Sequence, residues 1–404
     1  MRRVVISGAG SWNGFGAGVP RFLEALRGAQ CAIGDMTLFP TDGFRSGRAA
    51  VAPTPQAGDL PAGAARARLS RSDRLALAAA REAWLDSGIG GARLLPERIG
   101  VVVGGTTGGM LEAEEMLRRR RSGELERMRP SGLVTMPVAS TADVLAHAFG
   151  CTGARTTAVT ACSSSANSLG FAADMIQEGR AEAVLAGGTD AHCKMTYAGF
   201  NALQALAPDV CRPFDRRRAG LSLGEGAAMF VLEEEGHARR RGAVILAEFR
   251  GYGMSADAHH MTAPDPEGRG AVLAMRRALR EARVEPEAVE YVNAHGTGTP
   301  QNDPIETRAI KQVFGRHATR LAVSSTKSQV GHCLGAAGAI EILATVLALH
   351  HGFIPPTIHL EEPDPECDLD YVPGAARERR LRVAVSNSYG FGGNNTSVVL
   401  SAYA

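Results

Sequence analysis

Apolar runs of strand length alternate with stretches of helical period along the whole chain. RRVVISGAG opens as a short apolar strand running into a glycine turn, and PRFLEALRG follows as a helix that stops at Gly28. Residues 50–63, rich in Pro, Gly and Ala, predict a surface loop, and LSRSDRLALAAAREAWLDSG predicts an amphipathic helix closed by glycine. RIGVVVGG is a buried-type strand. The centre repeats the plan, with TTAVTA as strand, CSSSANSLGFAADMIQEG as helix and AEAVLAGG as strand. Further on, YVNA reads as a strand, and LAVSST leads through KSQVGHCLGAAG into the apolar helix AIEILATVLALHHG. LRVAVSNSYGFGG and NTSVVLS supply two more strands. This alternation predicts an α/β protein with a mixed, mostly parallel sheet covered by helices. Two halves of similar plan, residues 1–242 and 243–404, meet near Arg241 to Ala247.

Bulk properties narrow the function classes. With 404 residues and a 45% apolar share the chain buries a large core, and a net charge of +2 gives no case for nucleic-acid or membrane-surface binding. Seven cysteines without a CxxC pair argue against a disulfide framework or structural zinc and fit a reducing, cytoplasmic setting. The start MRRVVISGAG turns glycine-rich too soon for a signal sequence, and the apolar run from Ile340 to Leu349 carries Glu341, too short and polar to span a bilayer. Lys194, Lys311 and Lys327 stand alone as lysines against a background of arginine, so a lysine here marks a place where a compact ammonium is required.

Four segments carry candidate chemistry. Cys162 sits where an apolar strand meets a helix beginning with Ser163, Ser164, Ser165 and Ala166; a helix start lowers a thiol's pKa and offers N–H groups to an oxyanion. A buried core cysteine is the competing reading. In YVNAHGTGTPQNDPIE, a strand delivers His295 into a glycine-threonine loop, and Asp303, Pro304 and Glu306 read as N-cap, N1 and N3 of a new helix, a capping box. In SSTKSQVGHCLGAAGAIE, His332 opens a helix and Lys327 lies in the turn before it, while the glycines permit close packing. In SNSYGFGGNN, Gly390, Gly392 and Gly393 flank Phe391, which gives either a ligand-approaching loop or a plain β-turn.

Taken together, TACSSS, NAHGTGTP, STKSQVGHCLGAAG, SLGEGAAMFVLE and NSYGFGGNN resemble the β-ketoacyl-ACP synthase I/II family of the thiolase superfamily, over almost the whole chain. The resemblance implies the thiolase fold, a five-layered αβαβα arrangement of two related halves, normally dimeric. It implies a catalytic triad of Cys162, His295 and His332. By the same resemblance Lys327 tunes His332, and the backbone N–H groups of Cys162 and Phe391 form the oxyanion hole. Thr297 and Thr299 would contact the phosphopantetheine arm, Phe391 would gate the acyl pocket, and Thr107 would line its far end. Degradative thiolases carry a second cysteine in a CxGxG loop where this chain has NSYGFGG. Initiating condensing enzymes carry asparagine where His332 stands, and non-catalytic chain-length partners lack the nucleophile.

The implied reaction is decarboxylative condensation of an acyl group on Cys162 with malonyl-ACP, giving 3-oxoacyl-ACP and carbon dioxide. No cofactor or metal takes part, and substrates arrive on the phosphopantetheine of acyl carrier protein. Carrier protein is acidic, so Arg66, Arg68, Arg71 and Arg212 are docking candidates, with RRRR at 118–121 as an addition. The SWNGFGAG start and Thr107 depart from the fatty-acid pattern, leaving a specialised polyketide or polyene ketosynthase open, as homodimer or as heterodimer with a chain-length-factor-like paralogue. Three other readings compete. The glycines at 8, 10, 14, 16 and 18 suggest a nucleotide-binding oxidoreductase, but lack the GxGxxG spacing. Asp257, His259 and His260 form a poor metal set. A non-elongating chain-length subunit conflicts with Cys162.

Overall fold

The computed structural model describes residues 2–64, 68–124 and 133–403. The N-terminal half contributes strands β1 (Val4–Asn13), β2 (Ile99–Gly104), β3 (Arg155–Ala158), β4 (Ala183–Asp190) and β5 (Gly226–Glu234). Its main helices are α1 (Arg71–Ser87), α2 (Ser140–Phe149), α3 (Ser164–Gln177) and α4 (Lys194–Ala202). The C-terminal half follows with β6 (Ala247–Ala256), α5 (Arg269–Ala282), β7 (Tyr291–Asn293), α6 (Asn302–Phe314) and β8 (Ala322–Ser324). It ends with α7 (Ala337–His351), β9 (Val383–Gly390) and β10 (Asn394–Ser401).

The strands lie in the order β8-β7-β9-β10-β6-β1-β5-β4-β2-β3. Each half therefore runs third, second, fourth, fifth, first, counted within itself. In each, the second strand pairs in parallel with the third and fourth, and the fifth pairs antiparallel with the fourth and first. The same strand order thus recurs in both halves. It also corrects the mostly parallel expectation: antiparallel ladders join β4 to β5, β5 to β1, β9 to β10 and β10 to β6. The halves meet where Val4–Ile6 pairs with Ala247–Phe249.

Period-two alternation sorts side chains between layers. On β2, Val101 and Val103 face α1 and α2 with Leu185, whereas Val102 faces the other way, toward Leu169 and Ile176 of α3. Val184 and Ala186 turn to the same middle layer, where Ile340, Leu343 and Leu347 of α7 also lie. On the far side Val292, Val385 and Val399 pack against Met275 and Leu279 of α5 and Ile310 and Phe314 of α6. The result is helix, sheet, helix, sheet, helix, the five-layered thiolase arrangement. Residues 334–351 are apolar enough to cross a membrane by length and composition, yet 89% of that stretch is buried, because α7 fills the middle layer with sheet on both sides.

Local rules placed some elements and misplaced others. The helix expected from LSRSDRL forms with a capping box: Asp73 N donates to Ser70 Oγ at 3.1 Å, Ser70 N donates to Asp73 Oδ2 at 2.9 Å, and Gly88 closes the helix at φ +63°. The first strand does not stop at its glycines. It continues to Asn13, and a Cβ on Gly8 would lie 2.6 Å from Ser87 Cβ of α1. Gly8 therefore serves close helix-sheet packing, which removes the nucleotide-turn reading.

Candidate active site

Every candidate catalytic group sits at the end of a strand where the two halves face each other. Cys162 follows β3 through Ala161, a non-glycine residue at φ +53°. This left-handed turn costs about 1 kcal/mol and persists because its surroundings hold it. Ser163 Oγ donates to Thr160 O at 2.8 Å, Ser164 Oγ to Ala161 O at 2.6 Å, and Thr160 N to Ser164 Oγ at 2.9 Å. Ser165 Oγ accepts Ala339 N at 2.8 Å, tying the start of α3 to that of α7. The serines thus build the turn, and Cys162 is left 7% exposed at the start of α3. Burial pushes its thiol up to about 12, against the Lys327 charge and the Phe391 N–H directed at the sulfur. The lowering expected from the helix start is outweighed in the free protein.

The loop after β7 carries His295. Asp303 and Glu306 do not form the predicted capping box; α6 starts at Asn302 without a side-chain cap. Glu306 instead accepts His295 N at 2.9 Å and Gly296 N at 2.8 Å, and Asp303 accepts Phe214 N at 2.8 Å and Gly298 N at 3.2 Å. The carboxylates brace a loop whose glycines at 296 and 298 have positive φ.

His332 does not open a helix. It lies between the single turn Lys327–Val330 and the 3-10 turn Leu334–Ala336, and α7 starts at Ala337. Lys327, 1% exposed, is directed at His295 rather than at His332: Nζ donates to His295 O at 2.6 Å, sits 3.3 Å from His295 Nδ1, and pairs with Glu341. Glu341, which in the sequence only interrupts an apolar run, is the counter-charge; burial raises its carboxyl to about 7. Asp190, at the end of β4, also went unrecognised in sequence. For both, the signal was an acidic residue inside an otherwise apolar segment.

The hydrogen bonds fix both tautomers. His332 Nδ1 accepts Leu334 N at 3.2 Å and His295 Nδ1 faces Lys327 Nζ, so each neutral ring carries its proton on Nε2. Burial first, then the Lys327 charge, holds both imidazoles well below the ordinary histidine range. The rings stand 5.5 Å apart at 86°. Together with Cys162, Phe391, Thr297 and Thr299 they line one cavity of about 730 Å³. Thr297 and Thr299 are linked to each other, Oγ1 to Oγ1, at 2.9 Å. Phe391 begins a tight turn after β9 and stacks on Phe200 at 5.5 Å; a Cβ on Gly390 would come 3.0 Å from Cys162 N, a tight contact that glycine avoids.

Other sequence candidates fall elsewhere. Thr107 does not line the cavity: it is buried, and its N and Oγ1 donate to Asp190 Oδ1 at 2.7 and 2.8 Å. Arg71 is buried against Glu225, with Nη1 on Thr54 Oγ1, and is no docking residue, because its first-turn position on α1 turns it inward. Arg68 is exposed, Arg212 is half-buried with Glu361 at 3.6 Å, and Arg118–Arg121 are exposed on the helix Met110–Arg121. Arg66 lies outside the described residues. Arg45, which the sequence did not single out, is exposed and lines the cavity. In the loop of the competing metal reading, Asp257 accepts Asn395 Nδ2 at 2.7 Å and Asp265 N at 3.0 Å, while His260 Nδ1 accepts Thr262 N at 3.1 Å.

Residues 1–238 match the family model for the N-terminal domain of β-ketoacyl synthase, and residues 246–361 match that for the C-terminal domain. The chain is a β-ketoacyl synthase. The 3-oxoacyl-[acyl-carrier-protein] synthase 2 of Coxiella burnetii is 41% identical, covering 99% of this chain and 98% of the relative. Among solved structures, the ishigamide ketosynthase/chain length factor superposes with a TM-score of 0.93 at 38% identity, covering 100% of both chains. A type II polyketide-synthase acyl-carrier protein in complex with its ketosynthase, bound to the hexaketide, gives 0.89 at 31%, also over 100% of both. As a β-ketoacyl synthase the chain joins an acyl unit to a malonyl unit with loss of carbon dioxide, the extending step of fatty-acid or polyketide synthesis.

Proposed function

We propose that Cys162 carries the acyl group and that His295 and His332 hold the malonyl thioester carbonyl. The observation that carries this reading is the pair of neutral imidazoles, both with the ring proton on Nε2, lining one cavity with a helix-start cysteine. In the first half-reaction the Cys162 sulfur attacks the acyl thioester, the bond to the phosphopantetheine sulfur breaks, and the thiol proton ends on the departing thiol. The N–H groups of Cys162 and Phe391 hold the oxyanion. In the second, the bond between the malonyl carbon and its carboxylate breaks, and the electron pair passes into an enolate whose oxygen accepts both Nε2–H donors. The enolate carbon attacks the acyl carbonyl, and collapse breaks the bond to Cys162 sulfur and expels the thiolate, which takes a proton from solvent to restore the thiol. Lys327 positions His295 and, with burial, keeps both rings neutral. Thioester exchange and decarboxylation consume no cofactor.

The proposed partner is an acyl carrier protein, its arm passing Thr297 and Thr299, with Arg45, Arg68 and Arg212 as docking residues in a cytoplasmic setting. Strand β3 pairs with β2 alone among the described residues, and the adjoining Val159 is 58% exposed. An open edge of this kind is a template for a second chain. The relatives' chemistry divides the pathway reading between a homodimeric fatty-acid enzyme and a polyketide ketosynthase paired with a chain-length-factor-like paralogue. Intact-mass measurement of Cys162 acylation by a panel of fatty-acyl and polyketidyl carrier proteins, with Cys162→Ala as control, tests both levels. Preferred loading from one carrier class assigns the pathway; undiminished loading of Cys162→Ala refutes the mechanism.

A further inference from the structure

Asp190 is fully buried at the end of β4 and takes part in no ion pair among the described residues. Five donors surround it. Thr106 N at 2.9 Å, Thr107 N at 2.7 Å and Thr107 Oγ1 at 2.8 Å reach Oδ1; Thr106 Oγ1 and Gly335 N, each at 2.6 Å, reach Oδ2. Four of these donors come from the N-terminal half, where the carboxylate joins the ends of β2 and β4. The fifth crosses to the C-terminal half and lands within the loop that carries His332. A Cβ on Gly335 would lie 2.6 Å from Asp190 Oδ2, so the backbone approaches the carboxylate as closely as glycine allows.

The preceding peptide meets the histidine. Leu334, just before Gly335, is a non-glycine residue at φ +51°, and its own N–H donates to His332 Nδ1. Two successive N–H groups therefore take divergent acceptors, one the imidazole and the other Asp190. With α7 held beyond it, a leucine relaxed to an ordinary φ would turn the Cys333–Leu334 peptide, and its N–H, away from the ring, leaving Nδ1 free to hold the proton. We infer that Asp190 is a positioning residue: by anchoring Gly335 N it holds Leu334 in its left-handed turn and thereby keeps the His332 proton on Nε2. The inference rests on the proposed role of His332 as an Nε2–H donor to the malonyl thioester.

The test combines Asp190→Asn with a readout of the tautomer itself. In ¹⁵N-histidine-labelled protein, the signals assigned to His332 by their loss in His332→Ala should show protonated Nε2 in wild type and a mixture with protonated Nδ1 in Asp190→Asn. Decarboxylation of malonyl-carrier protein should fall about tenfold, the loss of one oriented hydrogen bond to developing charge, while Cys162 acylation stays within about twofold. A purely structural role predicts equal falls in both half-reactions. That result, or an unchanged tautomer with wild-type decarboxylation, overturns the proposal. Should Asp190→Asn fail to fold, Thr107→Val removes one donor and is expected to cut decarboxylation about threefold, selectively, on the same reasoning; an equal effect on both steps, or none, overturns it. Undiminished decarboxylation by His332→Ala would sink the underlying catalytic reading instead, while leaving the Asp190-dependent tautomer intact, so the two failures are distinguishable.

Discussion

The two halves share a strand order, yet each topological address carries a different group. After the third strand stands Cys162 in the N-terminal half and the His332 loop in the C-terminal half. After the second stand Thr106 and Thr107 in one and His295 in the other, and after the fourth Asp190 and Phe391. Both third-strand loops use a non-glycine residue with positive φ, Ala161 before the cysteine and Leu334 after the histidine. On the proposed mechanism the N-terminal loop supplies a nucleophile at a helix start, whereas the C-terminal loops supply hydrogen-bond donors. A site assembled where repeats face each other can thus divide its labour, with bond formation on one side and charge stabilisation on the other.

Mutations that separate the sides should show that division. Cys162→Ala removes the acyl acceptor, so loading measured by intact mass should fall by at least about 10³-fold. His295→Ala and His332→Ala should each slow malonyl decarboxylation by about 10²- to 10³-fold, as loss of an oxyanion donor does, while acylation of Cys162 falls far less. Equal loss in both half-reactions would break the comparison. The buried ion pairs sharpen it energetically. Lys327→Met leaves Glu341 uncompensated and Arg71→Ala leaves Glu225 so, each costing about 3 kcal/mol in urea unfolding. Lys327→Met should also abolish condensation, whereas Arg71→Ala should leave carrier-protein affinity unchanged.

The smallest effect concerns pH. Both imidazoles titrate well below the ordinary value of 6.5, so the Nε2–H donor state survives as pH falls through 6.5, and decarboxylation between about pH 6 and 8 should lack a histidine inflection. Stability behaves otherwise. The unfolded chain takes up these protons first, so the contribution of the neutral histidines is full above the unfolded value and is lost as pH drops from there toward the folded one.

Motifs revealed the strand-turn-helix at Cys162, the His295 loop and the Phe391 turn, because each is encoded within a dozen residues. Tertiary pairings were hidden. Lys327 reads as His332's neighbour along the chain, yet the fold delivers its amine to His295 and Glu341. Asp303 and Glu306 have capping spacing, but their carboxylates meet loop N–H groups that come close only after folding. Arg71 reads as a surface residue because nothing local shows that the first turn of α1 faces Glu225. Strand direction was equally hidden, since the ladders joining β4 to β5 and β9 to β10 depend on how the chain returns, not on the strands' own composition.

The most direct test of the account is a two-step turnover followed by intact-mass spectrometry. Acyl-carrier protein should first add its acyl mass to Cys162; malonyl-carrier protein should then discharge that adduct, with 3-oxoacyl-carrier protein and carbon dioxide appearing in equal amounts. An adduct that persists while malonyl-carrier protein is consumed, or product formed without any adduct on Cys162, would contradict it.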